Sequence, residues 1–249
     1  MESSYIYGKN AVTEALTSKK REFNKILIST GAKNDEKINK IKDLATANNV
    51  IFQFVAKEKL NNIVPTGKHQ GVIAIISPIR YIELDDFISN NKNQYQKVVI
   101  LDGVEDSHNT GAIIRTCVCA GINGVIIPSR RGVLINSTVE KASAGATNHI
   151  EIIKVNSLVN AVQKLKEHDY WVIASDHHAN DNYYDIDYTN MNYALIMGGE
   201  HSGISKSLLK MADYKVKIPM LTNFNSLNVS NAAAIILFES VKQQLKLKV

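Results

Sequence analysis

Hydrophobic positions along the chain recur at alternating helical and strand periods, and the elements they predict fall into two groups. Before Pro78 the pattern predicts a short helix over Gly8–Leu16, a strand over Lys25–Ser29 and a lysine-rich amphipathic helix over Asp35–Asn48. A strand over Ile51–Val55, a helix over Lys57–Ile63 and a last strand over Val72–Ile76 follow. This is the layout of a small α/β domain, assigned to residues 1–78. A short acidic helix and the polar run Ser89–Gln96 come next, and residues 79–96 are read as a linker.

From Lys97 onward the strands become short and continuously apolar. They are expected at Lys97–Leu101, Gly124–Ile127, Ile150–Lys154, Trp171–Ser175, Ala194–Met197 and Lys215–Ile218. Helices are expected between and after them, at Gly111–Ala120, Ser137–Ser143, Leu158–Glu167, Ser205–Met211 and Ser230–Leu247. Strands that are apolar on both faces and alternate with helices imply a parallel sheet covered on both sides. Residues 97–249 are therefore expected to form one α/β domain.

Charge changes the picture more through its distribution than its total. The net charge is +5, and residues 1–78 hold all of the excess, with 12 Lys/Arg against 7 Asp/Glu. An electrostatic grip on a polyanion is thus expected in the N-terminal part. No run approaches the roughly 18 apolar residues of a membrane span, and the first residues lack the layout of a signal peptide, so a soluble cytoplasmic protein is expected. Cys117 and Cys119, two apart in an apolar stretch, are expected to be reduced and buried on nearly opposite helix faces.

Three segments concentrate glycine and polar residues after buried strands, where open α/β sheets bind ligands. In the first, Asn109-Thr110-Gly111 leads to Arg115. Asn109 and Thr110 stand where a helix N-cap belongs. Arg115 falls off the apolar stripe of Ile113, Ile114, Cys117, Val118 and Gly121, as a solvated arginine also would. The second runs Met197-Gly198-Gly199-Glu200-His201-Ser202-Gly203, where a glycine pair admits close approach or simply makes a tight turn. The third runs from Ile218-Pro219-Met220 to Ser226-Leu227-Asn228-Val229-Ser230, with Ser230 a candidate N-cap. There is no G-x-G-x-x-G after a strand, no P-loop and no G-x-S-x-G. The adjacent His177 and His178 are read as surface residues, and no metal site is expected.

In this order, N-T-G-x-x-x-R, M-G-G-E-x-x-G and I-P-M-x(5)-S-L-N-V-S resemble the three signature motifs of the SpoU (TrmH-like) branch of the SPOUT methyltransferases. Tyr7-Gly8-Lys9-Asn10 and His69-Gln70-Gly71 look like the substrate-binding domain of the RlmB type, which methylates a guanosine ribose of large-subunit ribosomal RNA. The resemblance implies a C-terminal domain with a deep trefoil knot, S-adenosylmethionine as cofactor, and a homodimer packed through helices around residues 111–120 and 230–247. It implies cofactor contacts at Gly198, Gly199, Ile218, Met220, Leu227 and Asn228. The catalytic set it implies is Asn109, Arg115, Glu200, Ser226 and Asn228. His201-Ser202 occupies positions that vary within the family and leaves specificity open, and the loop Thr222–Asn225 departs by lacking the expected glycine or small residues. A tRNA ribose methyltransferase and a non-catalytic RNA-binding assembly factor are the alternatives.

Overall fold

The computed structural model describes residues 4–90, 95–200, 202–222 and 226–246. Its contacts divide the chain into two units, one formed by the chain up to Arg80 with Ile135–His149, the other by Tyr81–Leu134 with the chain from Ile150 onward.

The first unit opens with a strand that the pattern did not predict, β1 (Ser4–Tyr7), followed by α1 (Lys9–Ser18), β2 (Phe23–Ser29), α2 (Glu36–Ala47), β3 (Phe52–Val55), α3 (Lys57–Ile63) and β4 (Val72–Ile76). The sheet order is β1-β4-β2-β3, with β4 antiparallel to both neighbours and β2 parallel to β3. Helix α2 forms because Ile38, Ile41 and Ala45 repeat on one face and bury against the sheet. Its first turn is capped by Asp35, whose carboxylate accepts the Ile38 amide at 3.2 Å. Gly8 links β1 to α1 at φ 93°, a conformation that favours glycine, and its amide donates to the Val72 carbonyl.

The second unit is built on a seven-stranded parallel sheet. In chain order its elements are α4 (Leu84–Ser89), β5 (Lys97–Asp102), α5 (Ser107–Cys119) and β6 (Gly124–Pro128). After α6 (Ser137–Ala142), which belongs to the first unit, come β7 (Glu151–Val155), α7 (Leu158–Glu167), β8 (Tyr170–Ser175), the two-residue β9 (Asp181–Asn182) and β10 (Asn192–Gly198). The chain closes with α8 (Lys206–Met211), β11 (Tyr214–Lys217) and α9 (Val229–Lys246). The order is β7-β6-β5-β10-β8-β11-β9. Helices α4, α7 and α8 bury Phe87, Val162 and Leu208 against Ala194 and Ile196. Tyr193, pointing the other way, donates to the Ser240 hydroxyl of α9, which packs beside α5 on that opposite face. Among the described residues no helix is long and apolar enough to cross a membrane.

Two boundaries differ from the sequence expectation. Residues 79–96 are not a free linker: α4 buries Leu84 and Phe87 in the second core, and Ile82 bridges to Ile153. Positions 91–94 of the polar run lie outside the described residues. The segment Ile135–His149, read as part of residues 97–249, packs with the first unit instead. Its anchor is Glu140, which takes a hydrogen-bonded ion pair from Arg21 at 2.7 Å and the Thr147 hydroxyl at 2.5 Å. Both charged side chains are about 5% exposed or less, and Arg21 also donates to the Ser77 carbonyl. Removing one partner leaves a buried charge alone, so Arg21→Met should cost about 3 kcal/mol. Urea unfolding checks this, and Arg21→Met with Glu140→Met should recover part of the loss.

The cysteines separate as their spacing implies, yet only Cys117 is buried; Cys119 is exposed on α5. Burial pushes the Cys117 thiol far above its usual range and leaves it inert.

Candidate active site

The carboxyl ends of β5, β10, β8 and β11 point the same way, so the loops that follow them share one edge of the sheet. At the end of β5, Asp102 accepts the Gly199 amide on its carbonyl at 2.8 Å and the Ser205 amide on its carboxylate at 2.7 Å. The chain leaving β10 thereby folds back on itself, with Gly203 donating to the Gly199 carbonyl at 2.9 Å. A Cβ on Gly198 would run into the backbone of Gly203 and Ile204, and one on Gly199 into the Gly103 carbonyl. Close backbone approach, and not positive φ, requires glycine at both positions.

This fold-back places Glu200 against two asparagines distant in sequence, one in the first turn of α5 and one just before α9. Asn109 Nδ2 donates to Glu200 Oε1 at 3.0 Å, and Asn228 Nδ2 donates to the same oxygen at 2.8 Å and to Asn109 Oδ1 at 2.9 Å. The other end of the Asn228 amide accepts the Ser230 amide at 2.9 Å and hydroxyl at 2.6 Å. Every direction of Asn228 is thus assigned, because a flipped amide would set oxygen against carboxylate. Glu200 Oε2 has no partner among the described residues. Glu200 and Asn228 are solvent-exposed, and Asn109 is half-buried.

The caps differ from expectation. Helix α5 begins a turn before Gly111, with Asp106 accepting the Asn109 amide at 2.7 Å, so Asn109 is freed from capping. Ser230 does not cap α9; Asn228 does.

Two cavities flank the cluster. One, of about 450 Å³, is lined by Gly198, Gly199, Ile218, Met220, Ser226 and Leu227, and also by Asp176, His177 and His178. The other, of about 750 Å³, is lined by Asp102, Glu105, Asp106, Asn109 and Arg131. Glu200 lies on both. The structure therefore brings Asn109, Glu200 and Asn228 together, and groups Ser226 with the expected cofactor contacts except Asn228, which lines neither cavity. Arg115 also lines neither; it is exposed on α5, and helical geometry turns it well away from Asn109, six residues earlier. The histidine pair, read as surface, borders the smaller cavity while remaining exposed, its rings 3.8 Å apart. Its signal was available: β8 ends beside β10, so its loop must face the same cleft. Among the described residues no three His, Cys, Asp or Glu side chains are grouped to hold a metal. His201 and residues 223–225 lie outside the described residues.

Residues 96–238 match the SpoU rRNA Methylase family, and residues 5–82 match a domain described as RNA 2′-O ribose methyltransferase substrate binding. A protein of Staphylococcus haemolyticus, whose name places it in the TrmH family of tRNA/rRNA methyltransferases, is 40% identical over 246 residues, 98% of this chain and 97% of its own. The SpoU methyltransferase AviRb from Streptomyces viridochromogenes, solved in complex with AdoMet, superposes with a TM-score of 0.82 at 20% identity, covering 98% of this chain and 91% of that one. An AdoMet-bound rRNA methyltransferase from Sinorhizobium meliloti gives 0.80 at 24% identity, covering 96% and 87%. A TrmH/SpoU tRNA modifying enzyme of A. aeolicus gives 0.56 at 29% identity, covering 66% of this chain and 85% of its own. Matched through its catalytic-type domain and through a relative aligned almost end to end, the chain belongs to the SpoU rRNA methylase family.

Proposed function

We propose that the protein transfers a methyl group from S-adenosylmethionine to the ribose 2′-hydroxyl of a guanosine in large-subunit ribosomal RNA, acting as a cytoplasmic homodimer. The observation that carries this is Glu200, held by Asn109 and Asn228 on the wall shared by two cavities. Coverage favours ribosomal RNA over tRNA: the rRNA methyltransferase neighbour spans 96% of this chain, the tRNA modifying enzyme 66%. The first unit is the proposed RNA-binding domain and the second the proposed methyltransferase domain, knotted as the SpoU resemblance implies.

The smaller cavity fits the cofactor by its chemistry. Gly198 and Gly199 present bare backbone where no Cβ fits, and Ile218, Met220 and Leu227 supply apolar walls of the kind cofactor sites use. When bound there, S-adenosylmethionine supplies an electrophilic methyl group on a cationic sulfonium. Asn109 and Asn228 hold Glu200 by Oε1, leaving Oε2 to take the hydroxyl proton, directly or through water. Ser226 and Asn228 orient the ribose and the methionine portion. Arg115 is a poor base, since a guanidinium does not give up its proton in proteins. Its assigned role is to clamp the phosphate beside the target ribose, and because it lines neither cavity of its own chain, that site belongs to the partner across a dimer formed by α5 and α9.

Purified protein with methyl-labelled S-adenosylmethionine and either large-subunit rRNA or bulk tRNA lacking the modification tests the proposal. Label in rRNA, resistant to alkaline cleavage at one guanosine, is expected; label in tRNA alone overturns the substrate, and label in neither overturns the activity on free RNA. Arg115→Lys keeps charge but loses the bidentate fork, so turnover should fall about tenfold or more. Near-normal turnover would sink the clamp.

A further inference from the structure

Among the described residues the larger cavity is lined by four carboxylates, Asp102, Glu105, Asp106 and Glu200, against a single cation, Arg131. Such a lining repels a polyanion unless a positive group meets it at the wall. Asp102 and Asp106 each accept a backbone amide, from Ser205 and Asn109, and Glu200 is engaged through Oε1 by the two asparagine side chains. Arg131 makes no hydrogen bond or ion pair among the described residues, so its whole donor fork is available.

Its backbone is set in place by its neighbours. Arg131 follows β6 in a left-handed conformation, φ 59°, and Gly132 next to it lies so close to Pro128 that a Cβ would touch the proline ring at 2.8 Å. A turn that sets one unpaired guanidinium on the wall of an acidic cavity beside Asn109 and Glu200 suits bidentate capture of a phosphodiester. We propose that Arg131 is a positioning residue that holds, within its own chain, a phosphate of the RNA strand whose ribose enters this cavity. The proposal rests on the RNA methyltransferase reading and adds to it a contact that the three motifs do not contain. Arg130, one residue earlier and also exposed, lines neither cavity and serves as the comparison.

The test uses the full chain and large-subunit rRNA. RNA affinity is measured across a salt series for the wild type, Arg131→Gln, Arg131→Lys and Arg130→Gln, with KM and kcat for methyl transfer and cofactor affinity by calorimetry. Arg131→Gln should raise KM for RNA about tenfold. It should also flatten the plot of log affinity against log salt by about 0.7, the share of one phosphate contact on a single strand. Arg131→Lys should restore the salt slope, while Arg130→Gln and all cofactor affinities stay at wild-type values. A wild-type slope in Arg131→Gln, or an equal loss in Arg130→Gln, overturns the assignment. If the wild type binds RNA but transfers no methyl group, the proposed function falls and the slope alone decides Arg131; if it binds no RNA, both fall.

Discussion

Gly199→Ala is expected to abolish the folded state of the second unit. The added Cβ would lie closer than 3.0 Å to the carbonyl oxygen and carbon of Gly103, which are backbone atoms and have no rotamer to escape into. Relief requires β10 to separate from β5, and these are adjacent, central strands joined by six residue pairs from Tyr193↔Lys97 to Gly198↔Asp102. The cost should exceed about 4 kcal/mol, in the range reserved for lost packing at a special backbone position. Expression and urea unfolding of the variant measure it. Gly203→Ala is the internal control: Gly203 has φ 59° but open space around its Cβ position, so about 1 kcal/mol is expected there. A Gly199→Ala protein with a wild-type midpoint would show that the two loops do not approach as described.

The second large effect is chemical. Glu200→Gln keeps an oxygen for the Asn109 and Asn228 amides, so the cluster and the fold should persist, but it replaces the unpaired carboxylate oxygen by a group that cannot accept a proton. Turnover at saturating RNA and cofactor should fall about 10²- to 10⁴-fold, the usual contribution of a positioned base, with the thermal midpoint within a few degrees of wild type. Turnover within threefold of wild type would make Glu200 a purely structural acceptor, and the proton would have to leave by another route.

Much of the frame was legible because it is local. The amphipathic stripe of α2 and the unbroken apolar runs of β5, β6 and β10 carry their own periodicity, and α3, β4 and α7 have the expected bounds. Strand β1 was missed because four residues including two tyrosines are too short to set a period. The start of α5 was misplaced by the Thr110-Gly111 pair, which looks like a helix boundary but lies inside the helix once Asp106 caps it. The candidate site was visible as three motifs, yet the contacts among Asn109, Glu200 and Asn228 join residues 91 and 119 positions apart, and no local pattern encodes that. Arg131 escaped for the opposite reason: it sits in no motif, and only the cavity singles it out.

The return of Ile135–His149 to the first unit has a consequence for how the chain is made. Arg21 and Glu140 are 119 residues apart, and synthesis proceeds at roughly 5–20 residues per second, so Arg21 emerges about 6 to 24 seconds before the carboxylate it pairs with. During that interval the first four strands can assemble, but their sheet carries a guanidinium with no counter-charge. The N-terminal unit is therefore finished only when more than half of the polypeptide has left the ribosome, and a nascent chain halted before Glu140 should be a better substrate for proteases than its length suggests.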